Sequence, residues 1–498
     1  MNHWIIAPVV LPALLAPLLV LLARNDLRAQ RLLSGAGTVG FAVLAGVLLV
    51  QASAGGIGVY RLGDWPAPFG IVLVADRLAT LMLGLSAALA LAVLAHVIGT
   101  GWDARGRHFH ALFQFQLMGL AGAFLTGDAF NLFVFFEVML IASYGLMIHG
   151  GGRARLRAGV QYVVMNLAGS VLFLFALGTI YAVTGTLNMA DLAVKAAAVP
   201  ASEAGLLRVG AVLLLLVFAI KAALVPLQFW LPATYASAPG PVAALFAILT
   251  KVGVYAILRM FTLGFGVDGP AGDIGGALLL PAAGVTLLLG MIGVMGARDL
   301  GQMAAFAVIG SVGTLMLGVA MFTPAATGAA LFYLIHSTLA AGAMFLVADL
   351  VRGQRGGLRL VPGPRMANHG LLAALFFAVA IGVAGMPPLP GFLGKLLILD
   401  AARAEPAVWA IWAAILVGSL LAVAGLARAG AALFWATSDA AVPEPSQPLA
   451  LAGIAGLLAA LVALTAAAGP VSGWLNAAAA ALYAPAPYIA AVLGGGAP

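Results

Sequence analysis

The chain has 498 residues, 64% of them hydrophobic and only 8% charged, with a net charge of +7 and no cysteine. A soluble globular domain carries about 25% charged residues, so this composition describes a polytopic integral membrane protein. The lack of cysteine excludes disulfides, thiolate metal centres, iron–sulfur clusters and c-type haem attachment. The positive charge sits mostly in short loops, where it sets topology, and is not a nucleic-acid signal.

Hydropathy divides the chain into about fourteen predicted spans: 4–23, 32–51, 72–99, 110–126, 129–149, 158–183, 206–230, 240–264, 276–297, 301–322, 327–350, 370–402, 407–435 and 448–468. Residues 4–23 read as a first span and not as a cleavable signal, since no small-residue cleavage site follows. Residues 52–71, with Gly, Pro and weak alternation, are expected to form an extracytoplasmic hairpin. Residues 186–204 suggest a short amphipathic helix on the outer surface, and 471–491 an interfacial piece.

Arginines cluster after odd-numbered spans: Arg24, Arg28 and Arg31; Arg105 and Arg107; Arg153, Arg155 and Arg157; Arg298; Arg352, Arg355, Arg359 and Arg365. Loops after even-numbered spans carry only Arg61, Lys195, Arg259 and Arg403. The bias places odd loops in the cytoplasm and both termini on the extracytoplasmic side.

With so few charges, each one inside a span stands out. Glu137 lies in FNLFVFFEVMLIASYG, roughly 14 Å along the helix from Asp128 and 18 Å from His149 at about 1.5 Å per residue. That is mid-bilayer, where an acid is costly and functional by default. Its alternative is a structural ion pair between helices. Lys221 stands five residues before Pro226 in IKAALVPLQFWLP, and Lys395 five residues after Pro390 in VAGMPPLPGFLGKLLIL. Pro226, Pro387, Pro388 and Pro390 break these two spans, and freed backbone groups at membrane depth need protein or water around them. Two broken spans five apart in order suggest an internal repeat whose copies are inverted in the membrane.

Lys221 reads as a proton carrier whose affinity depends on its distance from Glu137, or else as a snorkelling cation. Lys251, about two turns inside its span, reads as a relay or as a cation held by a carbonyl or hydroxyl such as that of Thr250. His336 can pass protons near neutral pH or be a neutral bundle histidine. Lys395 is an entry or exit group, or a helix-end cation beside exposed carbonyls. No ligand set points to a metal, and no glycine pattern points to a nucleotide. Asp76 and Arg77 read as an intramolecular pair or an interface site.

The motifs FNLFVFFEVMLIASYGLM, AIKAALVPLQFWLP, ILTKVGVYAILR, LIHSTLAAGAMFL and GMPPLPGFLGKLLIL span roughly residues 110–400. With them the chain resembles the antiporter-like subunits shared by Mrp-type cation/proton antiporters and respiratory complex I, and among these the D subunits of Mrp antiporters. The resemblance implies an all-α polytopic fold with N-terminal helices 1–3 in 1–109. A first five-helix repeat follows in 110–264, an inverted second in 276–435, and a last helix and tail in 448–498. It implies a secondary-transporter subunit of a bacterial inner membrane, not an enzyme, with no cofactor. Such a subunit works with other membrane subunits in exchanging Na⁺, or K⁺, for H⁺. Glu137 and Lys221 would be an interacting pair, Lys251 the central relay, and His336 and Lys395 the route onward. Some relatives carry a lysine five residues after the histidine, where this chain has Ala341. The alternatives are a proton-pumping membrane subunit of an NADH:quinone oxidoreductase or membrane-bound hydrogenase, and a scaffold whose buried charges only hold a complex together.

Overall fold

The computed structural model describes residues 3–441 and 447–494. Helices α1 (Ala7–Leu21) and α2 (Leu27–Ser53) form the first hairpin, and Asp26 caps α2 by accepting the backbone N–H of Arg28 and Ala29 at 2.9 and 3.1 Å. Strands β1 (Gly58–Arg61) and β2 (Val72–Ala75) pair antiparallel and supply the hairpin expected after the second span. The third span therefore starts later than residue 72. Its helix α3 (Arg77–Thr100) begins after Asp76, whose carboxylate accepts Ala79 N–H at 2.9 Å. A short, fully buried run such as Val72–Ala75 has no period that separates strand from helix.

Next come α4 (Phe109–Leu125), α5 (Ala129–Met147) and α6 (Arg153–Thr184). The expected amphipathic helix is α7 (Met189–Ala197), capped by Asn188 and carrying an Asp191–Lys195 pair at 2.9 Å. The chain continues through α8 (Gly205–Ala222), α9 (Trp230–Ser237), α10 (Gly240–Phe246) and α11 (Leu249–Leu258), the last extended by a wider π-helical turn at Arg259–Gly264. Three long helices follow: α12 (Asp273–Gly296), α13 (Leu300–Ala320) and α14 (Pro324–Arg355). Strand β3 (Gly363–Arg365) pairs in parallel with β4 (Thr437–Ala441). Between them lie α15 (His369–Ala384), α16 (Pro390–Ala401) and α17 (Val408–Gly430). The chain closes with α18 (Pro448–Ala466), α19 (Ala468–Tyr483) and α20 (Ala486–Leu493).

Among the described residues eleven helical segments are long and apolar enough to cross a membrane, or twelve if α19 and α20, bent by 68°, are counted together. Three of the fourteen expected spans are represented instead by shorter apolar helices, namely α1, α4 and the α15 part of 370–402. The segment expected to be interfacial, 471–491, packs on the bundle: Leu475, Ala479 and Tyr488 are buried, and α19 lies against α14.

The α10–α11 segment and α14 are apolar and buried almost all round, which puts them at the centre of the bundle. The flanks of α6, α12 and α17 expose apolar side chains such as Val164, Val285 and Leu420, as a lipid- or subunit-facing surface does. A backbone bridge recurs in the two halves. Ala129 N–H donates to Leu187 O at 2.8 Å and Met189 N–H to Gly127 O at 2.9 Å; Leu300 N–H donates to Leu358 O at 2.8 Å and Leu360 N–H to Arg298 O at 2.9 Å. In each half the start of one helix is thereby tied to the chain just beyond the next helix.

Helices α12 and α13 approach through glycine. A Cβ on Gly313 would lie 2.2 Å from Leu287 N, and one on Gly290 2.2 Å from Gly310 N. Small residues set this close crossing, as is usual between helices in lipid. A Gly313→Leu variant is expected to be destabilised by about 1–3 kcal/mol through overpacking. Thermal unfolding in detergent checks this; an unchanged midpoint would show that the helices have room to part.

Candidate functional site

Asp128 starts α5 by accepting Asn131 N–H at 2.8 Å, and this places Glu137 in the middle of the helix. Glu137 is half-buried and accepts a hydrogen bond from Ser170 Oγ of α6. One turn back on α6, Asn166 Oδ1 accepts Lys221 Nζ at 2.8 Å. Glu137 and Lys221 therefore face each other across two polar side chains of α6, close enough for the carboxylate charge to act on the ammonium, without being a direct contact pair. Asn166 is itself held by Tyr162 O, which accepts its Nδ2 at 2.8 Å, and Tyr162 OH is 2.9 Å from Ser143 Oγ of α5. Tyr162, Asn166 and Ser170 recur every four residues, so they form one stripe down α6. Sequence reading passed over them because none is ionic. Their helical spacing within an apolar span was the available signal.

Lys221 ends α8. Ala223 has φ 57°, so the chain leaves the helix there and runs through Pro226 to α9. The freed groups find protein partners. Val225 N–H donates to Thr286 Oγ1 at 2.9 Å, and Trp230 Nε1 donates to Ile220 O at 3.1 Å.

Lys251 is fully buried, and its Nζ has no hydrogen-bond partner among the described residues. Thr250 does not hold it; its hydroxyl points back to Ala247 O at 3.5 Å. The span is also interrupted just before Lys251. Ala247 and Ile248 donate to Ala244 O and Leu245 O at 3.2 and 3.3 Å, and Lys251 N–H donates to Ile248 O at 3.0 Å, a tighter three-residue pattern. Neither proline nor glycine marks this interruption, so nothing in the sequence signals it; such tightened stretches often mark hinges.

His336 is buried on α14, and its Nδ1 has no hydrogen-bond partner among the described residues. Its Nε2 faces the second break: a Cβ on Gly391 would lie 2.6 Å from both His336 Nε2 and Gly382 O. Glycine at 391 is what lets the imidazole and the broken helix meet. The charges of both Lys395 and Lys251 reach His336. Lys395 Nζ donates to Ala384 O, the carbonyl end of α15, at 2.7 Å and to Ser419 Oγ of α17 at 2.9 Å. Gly385, at φ 75°, turns the chain between them ahead of Pro387, Pro388 and Pro390. The structure thus links Lys221 and Glu137 through Asn166 and Ser170 of α6, and sets His336 against the second break, where Lys395 lies.

Two polar clusters were not expected. Arg259, read as a loop arginine, is only 2% exposed; its guanidinium bonds both oxygens of Asp76 at 2.5 and 2.8 Å. Asp76 therefore pairs with Arg259 and not with Arg77, which donates to the carbonyls of Ala52 and Ser53 at 3.4 and 3.2 Å. At the arginine-rich end, Asp349 meets His96 at 3.1 Å and Trp102 Nε1 at 2.9 Å, while Asp103 meets Arg31 at 2.7 Å and His110 at 3.1 Å. Burial pushes the Asp103 carboxyl up, but the Arg31 and His110 hydrogen bonds outweigh it and bring its pKa down to about 2. Among the described residues no group of three metal-ligating side chains comes together.

A helical bundle with broken helices, buried lysines and a histidine within its apolar spans, and a half-buried glutamate mid-helix, is the architecture of a membrane ion-translocating subunit. The family model described as "NADH:quinone oxidoreductase/Mrp antiporter, TM" matches residues 126–422, and the chain belongs to that family. It is 39% identical to the D subunit of a probable K(+)/H(+) antiporter of Rhizobium meliloti (strain 1021), over 97% of this chain and 96% of that one. It is also 39% identical to the D subunit of a Na(+)/H(+) antiporter of Bacillus subtilis (strain 168), over 99% and 100%. Its fold matches a chain in the Mrp complex of Dietzia sp. DQ12-45-1b with a TM-score of 0.91 and 29% identity, covering 99% of this chain and 100% of that one.

Two outcomes follow from these contacts. Asn166→Leu leaves a buried ammonium without its acceptor, so thermal unfolding should show a loss of about 1–3 kcal/mol, and an unchanged midpoint would show that Lys221 finds another partner. For Asp103, whose folded pKa is depressed, the stabilisation is complete above about pH 4 and is lost as pH falls toward about 2, amounting to about 2 kcal/mol. Unfolding between pH 2 and 5 should show this slope in the parent chain and a weaker one in Asp103→Asn.

Proposed function

We propose that this chain is a subunit of a multi-subunit monovalent cation/proton antiporter and provides its proton path through Glu137, Lys221, Lys251, His336 and Lys395. The observation that carries the proposal is the run of four buried basic side chains and one carboxylate across the bundle, with Lys251 bearing no acceptor among the described residues. Full-length similarity to antiporter D subunits supports exchange over a purely structural role. It also favours the antiporter over a redox-driven pumping subunit. Both Na⁺ and K⁺ occur in the relatives' names, and exchange of either for H⁺ fits the same proton path.

The physics is that of a charge in a poor solvent. Burial disfavours the charged form of any group, and a nearby opposite charge restores it. Two unit charges about 7 Å apart at an effective dielectric of about 20 interact by about 2.4 kcal/mol, a factor of about fifty in proton affinity. Moving Glu137 and Lys221 far enough apart to lose most of this interaction would change the lysine's proton affinity by up to that factor. The break at Ala223–Pro226, one residue beyond the end of α8, is the element whose movement changes that distance.

The topology we infer counts α1, α4 and the broken α15–α16 as spans, which gives fourteen. The arginine-rich loops face the cytoplasm and both termini lie outside. The inverted repeats comprise 110–264 and 276–435. Two features support them: the recurring backbone bridge, and a proline-marked helix break in each half. The final tail residues 495–498 lie outside the described residues. The half-buried face of Glu137 at membrane depth suits cover by another membrane subunit of the complex.

Everted vesicles holding the complete complex test the reading. In Lys221→Ala, collapse of the pH gradient on adding Na⁺ or K⁺ should fall at least about tenfold with assembly intact on a native gel. Normal exchange by an assembled Lys221→Ala complex would make the lysine structural. A parent complex with no cation-dependent proton movement would favour the redox-pump alternative.

A further inference from the structure

Lys251, Tyr255 and Arg259 are spaced four residues apart on one helix, so they rise about 12 Å from the bundle centre along a shared face. The upper two are locked. Arg259 Nε donates to Tyr255 OH at 3.3 Å, Tyr255 OH donates to Phe124 O at 2.6 Å, and the Arg259 guanidinium holds both oxygens of Asp76. Beyond them opens a cleft of about 250 Å³ between the β1–β2 side of the molecule, α3 and the α19–α20 bend. Asp76, Arg77, Arg259 and Tyr488 line it together with small residues such as Gly55 and Ala481. Tyr488 is 5% exposed, and its hydroxyl has no hydrogen-bond partner among the described residues; its ring packs on Arg259 at 5.4 Å. The cleft thus ends on the ion pair, and behind the ion pair the same face leads down to Lys251, a buried lysine without an acceptor.

We propose that this cleft is the outer mouth of a proton route from Lys251, and that the Asp76–Arg259 pair, braced by Tyr255, is its gate. The inference rests on Lys251 being part of a proton path. In the closed state shown here the Tyr255 hydroxyl accepts from Arg259 and donates to a carbonyl, so it has no free site to relay a proton. When Arg259 moves off it, the hydroxyl accepts a proton on oxygen as it gives up its own. A proton leaving the Lys251 ammonium then reaches the Asp76 carboxylate, and the carboxylic acid so formed keeps Arg259 from pairing again until that proton leaves. Water in the cleft takes the proton from Asp76, the carboxylate returns, and the pair recloses. Lys251 is left neutral, ready to be reloaded from the bundle centre. An ion pair that served only to fix α11 against α3 would not need a cleft on its outer side.

The absence of native cysteine makes the test direct. Cells carrying the complete complex with Ala481→Cys, exposed in the cleft, are treated from outside with a membrane-impermeant cationic methanethiosulfonate, and everted vesicles are then assayed. Trp65→Cys, exposed in the β1–β2 connection, is the labelled control. The expected result is labelling of both positions, with cation-dependent proton movement reduced about tenfold only in Ala481→Cys. Asp76→Asn leaves Arg259 unpaired and lets cleft water reach Tyr255 directly in place of the carboxylate, so it is expected to raise passive proton leak severalfold under an imposed membrane potential. The same label in the double variant should block this leak, and Asp76→Glu should keep the gate shut. Full labelling of Ala481→Cys without loss of exchange overturns the mouth, as does labelling only from the cytoplasmic side. A tight Asp76→Asn complex that exchanges normally overturns the gate. If the unlabelled parent complex shows no exchange, the antiporter reading fails by itself. The leak still decides on the route: block by the label supports it, and indifference to the label overturns it.

Discussion

The cost of a charge in a medium that cannot solvate it governs the molecule. Taking an ion out of water costs several kcal/mol even after relaxation, and removing one partner of a buried pair costs about 3–5 kcal/mol. The described structure meets this cost in different ways at different depths. Arg259 and Asp76 neutralise each other in a two-armed pair, and Asp103 draws on both Arg31 and His110. Lys221 and Lys395 take neutral acceptors, an amide oxygen in one case and a helix-end carbonyl with a hydroxyl in the other. Neutral dipoles hold an ammonium without committing a carboxylate to it, so the lysine's charge stays sensitive to whatever moves nearby.

The broken helices follow from the same constraint. Ending α8 at Ala222 and α15 at Ala384 frees backbone groups at membrane depth, and each must be answered inside the protein. Thr286 and the indole of Trp230 serve the first break, and the Lys395 ammonium serves the second. At the second break Lys395 is itself the cap, so its position and the integrity of the helix end are one variable. At the first break other side chains do the capping, and Lys221 is free to answer to Asn166 and, across Ser170, to Glu137. The two halves thus use similar architecture with different couplings between backbone and charge.

Much of this was legible in the sequence because the sequence is so poor in charge. Glu137, Lys221, Lys251, His336 and Lys395 each interrupt an apolar run, and the prolines beside two of them announce the breaks. Other features were hidden for physical reasons. Val72–Ala75 is apolar and short, so strand and helix look alike. The interruption before Lys251 is a change in hydrogen-bond step made by ordinary helix formers, with no proline or glycine to mark it. Arg259 lies near a span end, where an arginine normally reaches water, and only tertiary structure shows that Asp76, far away in the sequence, holds it inside. Asn166 and Ser170 are neutral, so a search for charges passes over them although they carry the link between Glu137 and Lys221.

Lys251 differs from Lys221, Lys395 and Arg259, the other cations buried at membrane depth. Each of those has an acceptor that fixes its position, whereas no group among the described residues binds Lys251. A side chain kept only for packing would be cheaper as leucine or methionine, since burying an unpaired amine brings a desolvation cost and no compensating bond. A lysine buried at the centre of the bundle makes sense if its partner is transient. A proton carrier must release what it holds, and a permanent acceptor would oppose that. The empty coordination of Lys251 and the full coordination of Arg259, two turns above it on the same helix, are then complementary: one group is free to exchange a proton, and the other is held until exchange is called for.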